Sequence, residues 1–190
     1  MTGIIILAAG GSVRMGRPKQ LLPYQKSTLL RHAIDQAKQA GLGPVMVTYS
    51  DPQIQYDDET IYWCLNTGWE EGISSSIRKG VDELIRLYPQ AEQAIIMLCD
   101  QPFVSAKLLM DLKNAAEIEK RTLAACLYGN TIGTPALFGK SYFNDLLALK
   151  GDEGAKKILL LHQNAIAAIP FAQGIIDIDT PQDYDNLPAY

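Results

Sequence analysis

Cysteine is scarce in this chain. The three present, Cys64, Cys99 and Cys126, are odd in number and widely spaced. They give no disulfide framework and no Cys-x-x-Cys metal pair, so buried reduced thiols in a cytoplasmic protein are the expectation. Histidine is scarcer still. His32 and His162 fall inside predicted helices, where packing or surface roles fit better than catalysis or metal binding. Positive charge is not in excess: 17 basic residues stand against 21 acidic ones, a formal net charge of −4. No basic field exists to drive sequence-independent nucleic-acid binding. Long apolar runs are lacking as well. Ile4 to Ala9 falls far short of the ~20 residues of a membrane span and has no basic lead. Neither nucleic acid nor membrane is an expected partner.

What is present suits a packed α/β protein. The 190 residues fit one domain spanning 1–190. Composition is 47% hydrophobic and 20% charged, which argues against disorder. Short apolar, β-branched runs alternate with segments of helical period. Gly3 to Leu7 reads as a strand buried on both faces. Ser27 is placed to cap a helix through Leu30, Ala33, Ile34 and Ala37, stopped by Gly41. Val45–Val47, Ile61–Trp63, Ala94–Cys99, Thr122–Tyr128 and Ala136–Phe138 read as further strands. Ser74–Ser76 opens a helix with Ile77, Val81, Leu84, Ile85 and Tyr88 on one face and Pro89 ending it, Ser105 opens another, and helical segments follow near 143–149 and 155–162. Apolar runs at Ile166–Ile169 and Ile175–Ile178 close the chain. The alternation predicts βαβ units: a three-layer, mostly parallel, Rossmann-like sheet with helices on both faces. Ligands of such sheets bind beyond the carboxyl ends of the strands, so the residues after Leu7, after Cys99 and after the last strand matter most.

After the first strand comes Leu7-Ala8-Ala9-Gly10-Gly11-Ser12-Val13-Arg14-Met15-Gly16-Arg17-Pro18-Lys19. Glycines let the backbone approach a ligand and aim N–H groups at phosphate. Arg14 and Lys19 add fixed positive charge. The loop is not a P-loop: Gly11 and Gly16 have the spacing, but Arg17-Pro18 replaces Lys-Ser/Thr, so no hydroxyl remains for Mg²⁺. The dinucleotide pattern Gly-x-Gly-x-x-Gly fails too, which disfavours a nicotinamide oxidoreductase.

Two carboxylate stations stand out. Asp100 follows the apolar strand Ile95–Cys99, where a carboxylate lies in the ligand crevice and offers a hard oxygen to Mg²⁺ beside substrate phosphates. A turn role is the competing reading. Asp177 and Asp179 follow the final apolar run; at i and i+2 of a strand both would face one ligand. Alternatively, Asp179 or Thr180 caps a terminal helix with Pro181 in its first turn.

Taken together, Leu-Ala-Ala-Gly, Ser-x-Arg-Met-Gly, Pro-Lys and Leu-Leu resemble the signature of nucleotidyltransferases that activate sugars, alcohols and cofactors. The compact spacing from Arg14 to Lys19 resembles the molybdenum cofactor cytidylyltransferase branch. The resemblance continues through Asn66–Ser76, Asp100-Gln101-Pro102, Gly133-Thr134-Pro135, Gly151-Asp152-Glu153-Gly154-Ala155 and Asp177–Pro181, nearly the whole chain. It implies a nucleotide-diphospho-sugar-transferase type of fold and Mg²⁺-dependent transfer of CMP from CTP to molybdopterin, with release of pyrophosphate. Arg14, Lys19 and Asp100 would be catalytic. Leu7, Ala8, Ala9, Gly10, Gly11, Ser12, Arg14, Lys19, Gly72, Ser75 and Ser76 would bind nucleotide. Asp100 and Asp179 would hold the metal, with Asp177 as fallback. Gly133, Thr134, Pro135, Gly151, Asp152 and Gly154 would form acceptor-side loops, and a molybdoenzyme would receive the product.

Two details bear on specificity. The guanylyl relatives carry Leu-Ala-Gly-Gly where this chain has Leu7-Ala8-Ala9-Gly10; the extra methyl narrows the base site and favours cytosine. Ser76 resembles the serine that reads the pyrimidine, although plain N-capping also explains it. Thr134 stands where histidine is common, so another phosphorylated acceptor, such as a sugar or polyol phosphate, stays open, as does GTP in place of CTP. So does a non-catalytic nucleotide carrier. Trp69 is expected to anchor its loop, with base stacking as a second role.

Overall fold

The computed structural model describes residues 1–188. A seven-stranded sheet forms its middle layer. In chain order its strands are β1 (Thr2–Leu7), β4 (Val45–Tyr49), β5 (Ile61–Leu65), β6 (Gln93–Leu98), β7 (Leu123–Tyr128), β8 (Thr131–Gly139) and β9 (Ile166–Pro170). The spatial order is β5-β4-β1-β6-β8-β7-β9. A two-residue hairpin, β2 (Pro23–Tyr24) with β3 (Ser27–Thr28), stands apart. β5, β4, β1 and β6 run parallel, and β9 runs parallel to β7. β8 alone is antiparallel to both its neighbours.

Helices cover both faces because the strands are apolar on both. All six residues of β1 are buried. Ile4 and Ile6 pack into one core with α1 (Leu29–Ala40) and α3 (Ala106–Ile118). Ile5 points the other way, into a second core with α2 (Ile73–Leu87), α4 (Phe143–Leu147) and α5 (Lys156–Leu161). That two-sided alternation is what a central parallel strand requires. Gly41 ends α1 in the left-handed region at φ 63°, a conformation glycine adopts without a Cβ penalty.

Four local expectations are corrected. Thr28, not Ser27, caps α1, accepting from the Arg31 N–H at 3.3 Å, because the helix begins one residue later than expected, at Leu29. Ile85 does not share the buried face of α2; it is 36% exposed while Leu84 is fully buried. Gly133-Thr134-Pro135 lies within β8 and not in a loop. The strand tolerates it because its register against β7 jumps from Ala136 to Gly133, leaving Thr134 and Pro135 outside the ladder where proline's missing N–H costs nothing.

The last correction concerns 175–178, which is not a strand. A 3-10 turn, Ala172–Ile175, ends there and the chain continues outside the sheet. What positions it is a third, small apolar cluster of Met15, Leu22, Tyr24, Leu29 and Ile178. The Ile178 N–H also donates to the Asp100 carbonyl at 3.0 Å. The C-terminal segment is thereby fastened between the first loop and the end of β6. Thr180 then caps α6 (Pro181–Asp185) through a reciprocal capping box with Asp183.

Candidate active site

At the carboxyl ends of β1 and β6 the chain leaves the sheet beside a cleft of about 380 Å³. Leu7, Ala8, Ala9, Gly10, Gly11, Lys19, Gly72, Ser76, Asp100 and Asp152 line it together. Sequence positions from 7 to 152 therefore meet at one place, where a parallel sheet is expected to bind ligands. Ser12, Arg14, Ser75, Gly133, Thr134, Pro135, Gly151, Gly154, Asp177 and Asp179, also read from the sequence, are not in its wall.

The glycine loop is held from behind. The Ala8 N–H donates to the Thr48 carbonyl at 2.9 Å, extending the sheet by one bond. The Ser50 hydroxyl donates to the Ala9 carbonyl at 3.0 Å. Gln20, only 4% exposed, donates through its amide nitrogen to the carbonyls of Ala8 at 2.7 Å and Gly10 at 3.0 Å. With its carbonyls occupied in this way, the loop has its N–H groups left for a ligand. Ser12 sits at φ 50° and its hydroxyl accepts the Lys19 N–H at 3.0 Å. Gly11 has no room for a side chain, since a Cβ there would lie 2.7 Å from the Trp69 ring.

Lys19 is the electrostatic hub. Its ammonium bonds to the carboxylate Oδ2 of Asp100 and, at 3.0 Å, to Asp179 Oδ1. Burial pulls the Lys19 pKa down, but the adjacent Asp100 charge and hydrogen bond outweigh it, and the ammonium is held above its ordinary value. Arg14 reaches the other oxygen of Asp179 at 2.9 Å from a largely exposed position. Asp100 Oδ1 is buried with no hydrogen-bond partner among the described residues. Such an oxygen, beside a second carboxylate and a phosphate-sized cleft, suits a hard divalent cation that keeps several waters. Among the described residues no group of three or more His, Cys, Asp or Glu is arranged to hold a metal. The carboxylates that the structure brings together around the Lys19 ammonium are Asp100 and Asp179. Asp177 lies near enough to feel the charges of Asp100, Asp179 and Lys19; burial and the Asp100 charge push its pKa up to about 6, against a hydrogen bond from Gln101 that works the other way.

Opposite the glycine loop, the start of α2 meets the 151–154 loop. Gly72 takes φ 118°, and a Cβ on it would lie 2.4 Å from the Gly151 carbonyl oxygen. Arg78 ties the two segments together, donating to Ser74 at 3.1 Å, to the Leu149 carbonyl at 2.7 Å and to Glu71 at 2.9 Å. Asp152 is thereby kept in the cleft wall.

Residues 4–166 match the MobA-like NTP transferase domain. The chain belongs to that family. It is 28% identical to the purine catabolism protein PucB of Bacillus subtilis, over 96% of this chain and 94% of that one. It is 26% identical to the molybdenum cofactor cytidylyltransferase of Escherichia coli, over 95% and 92%. Rv0371c of Mycobacterium tuberculosis, known as a crystal structure, superposes with a TM-score of 0.82 at 28% identity, covering 97% and 95%. The same mycobacterial protein has been crystallised as a complex with manganese; that structure superposes with a TM-score of 0.74 at 27% identity, covering 97% and 95%.

Sequence reasoning named the glycine loop, Asp100 and Asp179, and it did not name Gln20, Ser50 or Arg78, whose hydrogen bonds hold the walls of the cleft. Gln20 carried one signal: a polar residue between Lys19 and the apolar pair Leu21-Leu22. Asn66 was visible only as the start of a resembling segment.

Proposed function

We propose that this chain transfers CMP from CTP to the phosphate of a molybdopterin-type acceptor, releasing pyrophosphate, as one cytoplasmic domain spanning 1–190. The observation that carries the reading is the Lys19 ammonium lying between Asp100 and Asp179 at the mouth of a glycine-lined cleft, with Asp100 Oδ1 left unpartnered.

The roles follow from position. Backbone N–H groups of Gly10 and Gly11 face the triphosphate, and Ser12 holds Lys19 in register with them. Lys19 exchanges its carboxylate partners for phosphate oxygens and, with Arg14, neutralises charge on the departing pyrophosphate. Asp100 and Asp179 would hold Mg²⁺, which when bound withdraws charge from the phosphates. An oxygen of the acceptor phosphate bonds to the α-phosphorus as the α–β bridging bond breaks, and the bond pair leaves with pyrophosphate. Gly151, Asp152 and Gly154, with Gly133, Thr134 and Pro135 behind them, form the acceptor side. Leu7, Ala8, Ala9, Gly72, Ser75 and Ser76 surround the base and ribose. The Ala9 methyl, 2% exposed, narrows that end of the cleft and favours cytosine over guanine. The manganese complex of the mycobacterial relative supports a divalent ion here, and the Escherichia coli relative's name supports CTP and the acceptor. A molybdoenzyme would take up the product.

A second reading keeps the transfer but changes the base or acceptor, to GTP or to a sugar or polyol phosphate. Thr134 in place of the common histidine, and the 28% identity to a protein named for purine catabolism, favour keeping it in the test. Pyrophosphate release is measured with CTP, GTP and UTP, with and without molybdopterin. Release confined to CTP plus molybdopterin supports the first reading. Release with GTP or only with another phosphate supports the second. Nucleotide binding without release in any combination makes the chain a carrier.

A further inference from the structure

Asn66 lies at the end of β5, only 5% exposed, beneath the first turn of α2. Its orientation is fixed by chemistry. The Gly68 N–H, which can only donate, meets Asn66 Oδ1 at 3.0 Å, so that atom is the oxygen and the other is the amide nitrogen. That nitrogen donates to Ser75 Oγ at 2.9 Å and to Ser76 Oγ at 3.0 Å. Both serines are buried too, at 5% and 7% exposed.

The two hydroxyls then differ. Ser75 gives its proton to the Gly72 carbonyl at 2.8 Å and is satisfied within the protein. Ser76 accepts from Asn66 but finds no acceptor for its own proton among the described residues, and it lines the cleft. Because Asn66 presents a donor, the Ser76 proton cannot be spent on it.

We infer that Asn66 is a positioning residue for base selection: it keeps the Ser76 O–H available to donate into the cleft, where it favours a base presenting an acceptor. The inference rests on the reading of the cleft as a pyrimidine nucleotide site. Cytosine presents acceptors at O2 and N3. Uracil also accepts at O2 and O4 but carries a proton at N3, so it is a Ser76 donor directed at N3 that discriminates between two bases of nearly equal size, which the Ala9 methyl cannot do.

The isosteric substitution Asn66→Asp tests this. Its carboxylate still accepts from Gly68 but also captures the Ser76 proton, leaving only lone pairs toward the cleft. Dissociation constants for CTP, UTP and GTP are measured by calorimetry on the whole chain with Mg²⁺, without acceptor, for wild type, Asn66→Asp and Ser76→Ala. The expected result is a CTP-over-UTP preference in wild type that falls about tenfold in Asn66→Asp, the scale of one hydrogen bond gained or lost. Ser76→Ala, which leaves Asn66 and Ser75 in place, loses the preference as well. If Asn66→Asp fails to fold, Asn66→Ala, which removes the donor to Ser76, takes its place, and a CTP-over-UTP ratio unchanged in it overturns the inference. A wild-type preference for CTP that neither variant changes overturns the inference and leaves the CTP reading standing. A wild type that binds CTP no better than UTP and GTP overturns both. A purely structural Asn66 would lower the melting temperature and weaken all three nucleotides alike, leaving the ratio unchanged.

Discussion

Lys19 Nζ and Asp179 Oδ1 lie 3.0 Å apart, although 160 positions separate them in sequence. The contact exists because Ile178 is buried beside Met15 and Leu22 and is hydrogen-bonded to the Asp100 carbonyl. It brings the first loop, the end of β6 and the C-terminal segment to one charge cluster. Lys19→Ala removes the cation from that cluster. Pyrophosphate release is expected to fall ~10²–10³-fold, the usual cost of one charge-stabilising contact. The variant also leaves the two carboxylates facing each other, so its metal-free form melts lower than wild type. Because the Lys19 pKa is raised, its stabilising contribution is complete below the ordinary lysine value of about 10.4 and is lost only as pH climbs beyond it. A melting series from pH 7 to about pH 10 shows no loss attributable to Lys19.

Gly72→Ala meets two obstacles at once. Its φ of 118° is a conformation that L side chains rarely adopt, and the new methyl falls against Gly151 and Asp152. A cost of about 1–3 kcal/mol is expected, read as a lower midpoint in urea. On the proposed reading Gly72 borders the nucleotide and its neighbours Gly151 and Asp152 border the acceptor, so the KM values for both substrates are expected to rise.

Gln20→Glu keeps shape and removes both donors to the loop carbonyls. The Ala8 carbonyl then faces a carboxylate oxygen where it had an N–H at 2.7 Å. Destabilisation of about 1–3 kcal/mol is expected, together with weaker nucleotide binding. Gln20→Leu, which adds no charge, loses nucleotide affinity too but by a smaller factor. Calorimetric titration of both variants separates the lost donors from the added charge.

The cysteines provide a check on packing. Burial pushes each of the Cys64, Cys99 and Cys126 thiols up to about 12, with Glu83 adding to Cys64 and Asp100 to Cys99. A raised thiol pKa means that thiolate is absent at pH 8. Native protein is expected to resist a thiol-specific reagent at that pH, and protein in guanidinium to react at all three positions.

Much of the fold was legible because it is written locally. The apolar run Ile4–Leu7 and the Leu30, Ala33, Ile34, Ala37 period each specify an element without reference to distant residues. Asp100 was legible for the same reason, at the end of an apolar strand. Asp179 was found for a reason that did not hold, since no strand carries it. A single buried side chain, Ile178, supplies the placement, and only the folded chain creates its pocket. Gln20 and Asn66 were harder because their partners are backbone carbonyls and hydroxyls whose positions depend on the loop itself. Half of β8 was legible as the run Ala136–Phe138, but its first half was taken as a loop around Gly133-Thr134-Pro135, because the register jump that accommodates those residues is set by β7.

The most direct measurement follows the nucleotide's α-phosphate. CTP carrying label at that position is incubated with molybdopterin, Mg²⁺ and either wild type or Asp100→Ala. In wild type the label is predicted to move to the molybdopterin with one pyrophosphate released per transfer, while Asp100→Ala still binds CTP and moves none. Label that stays on CTP in wild type, or moves equally well with Asp100→Ala, would contradict the account.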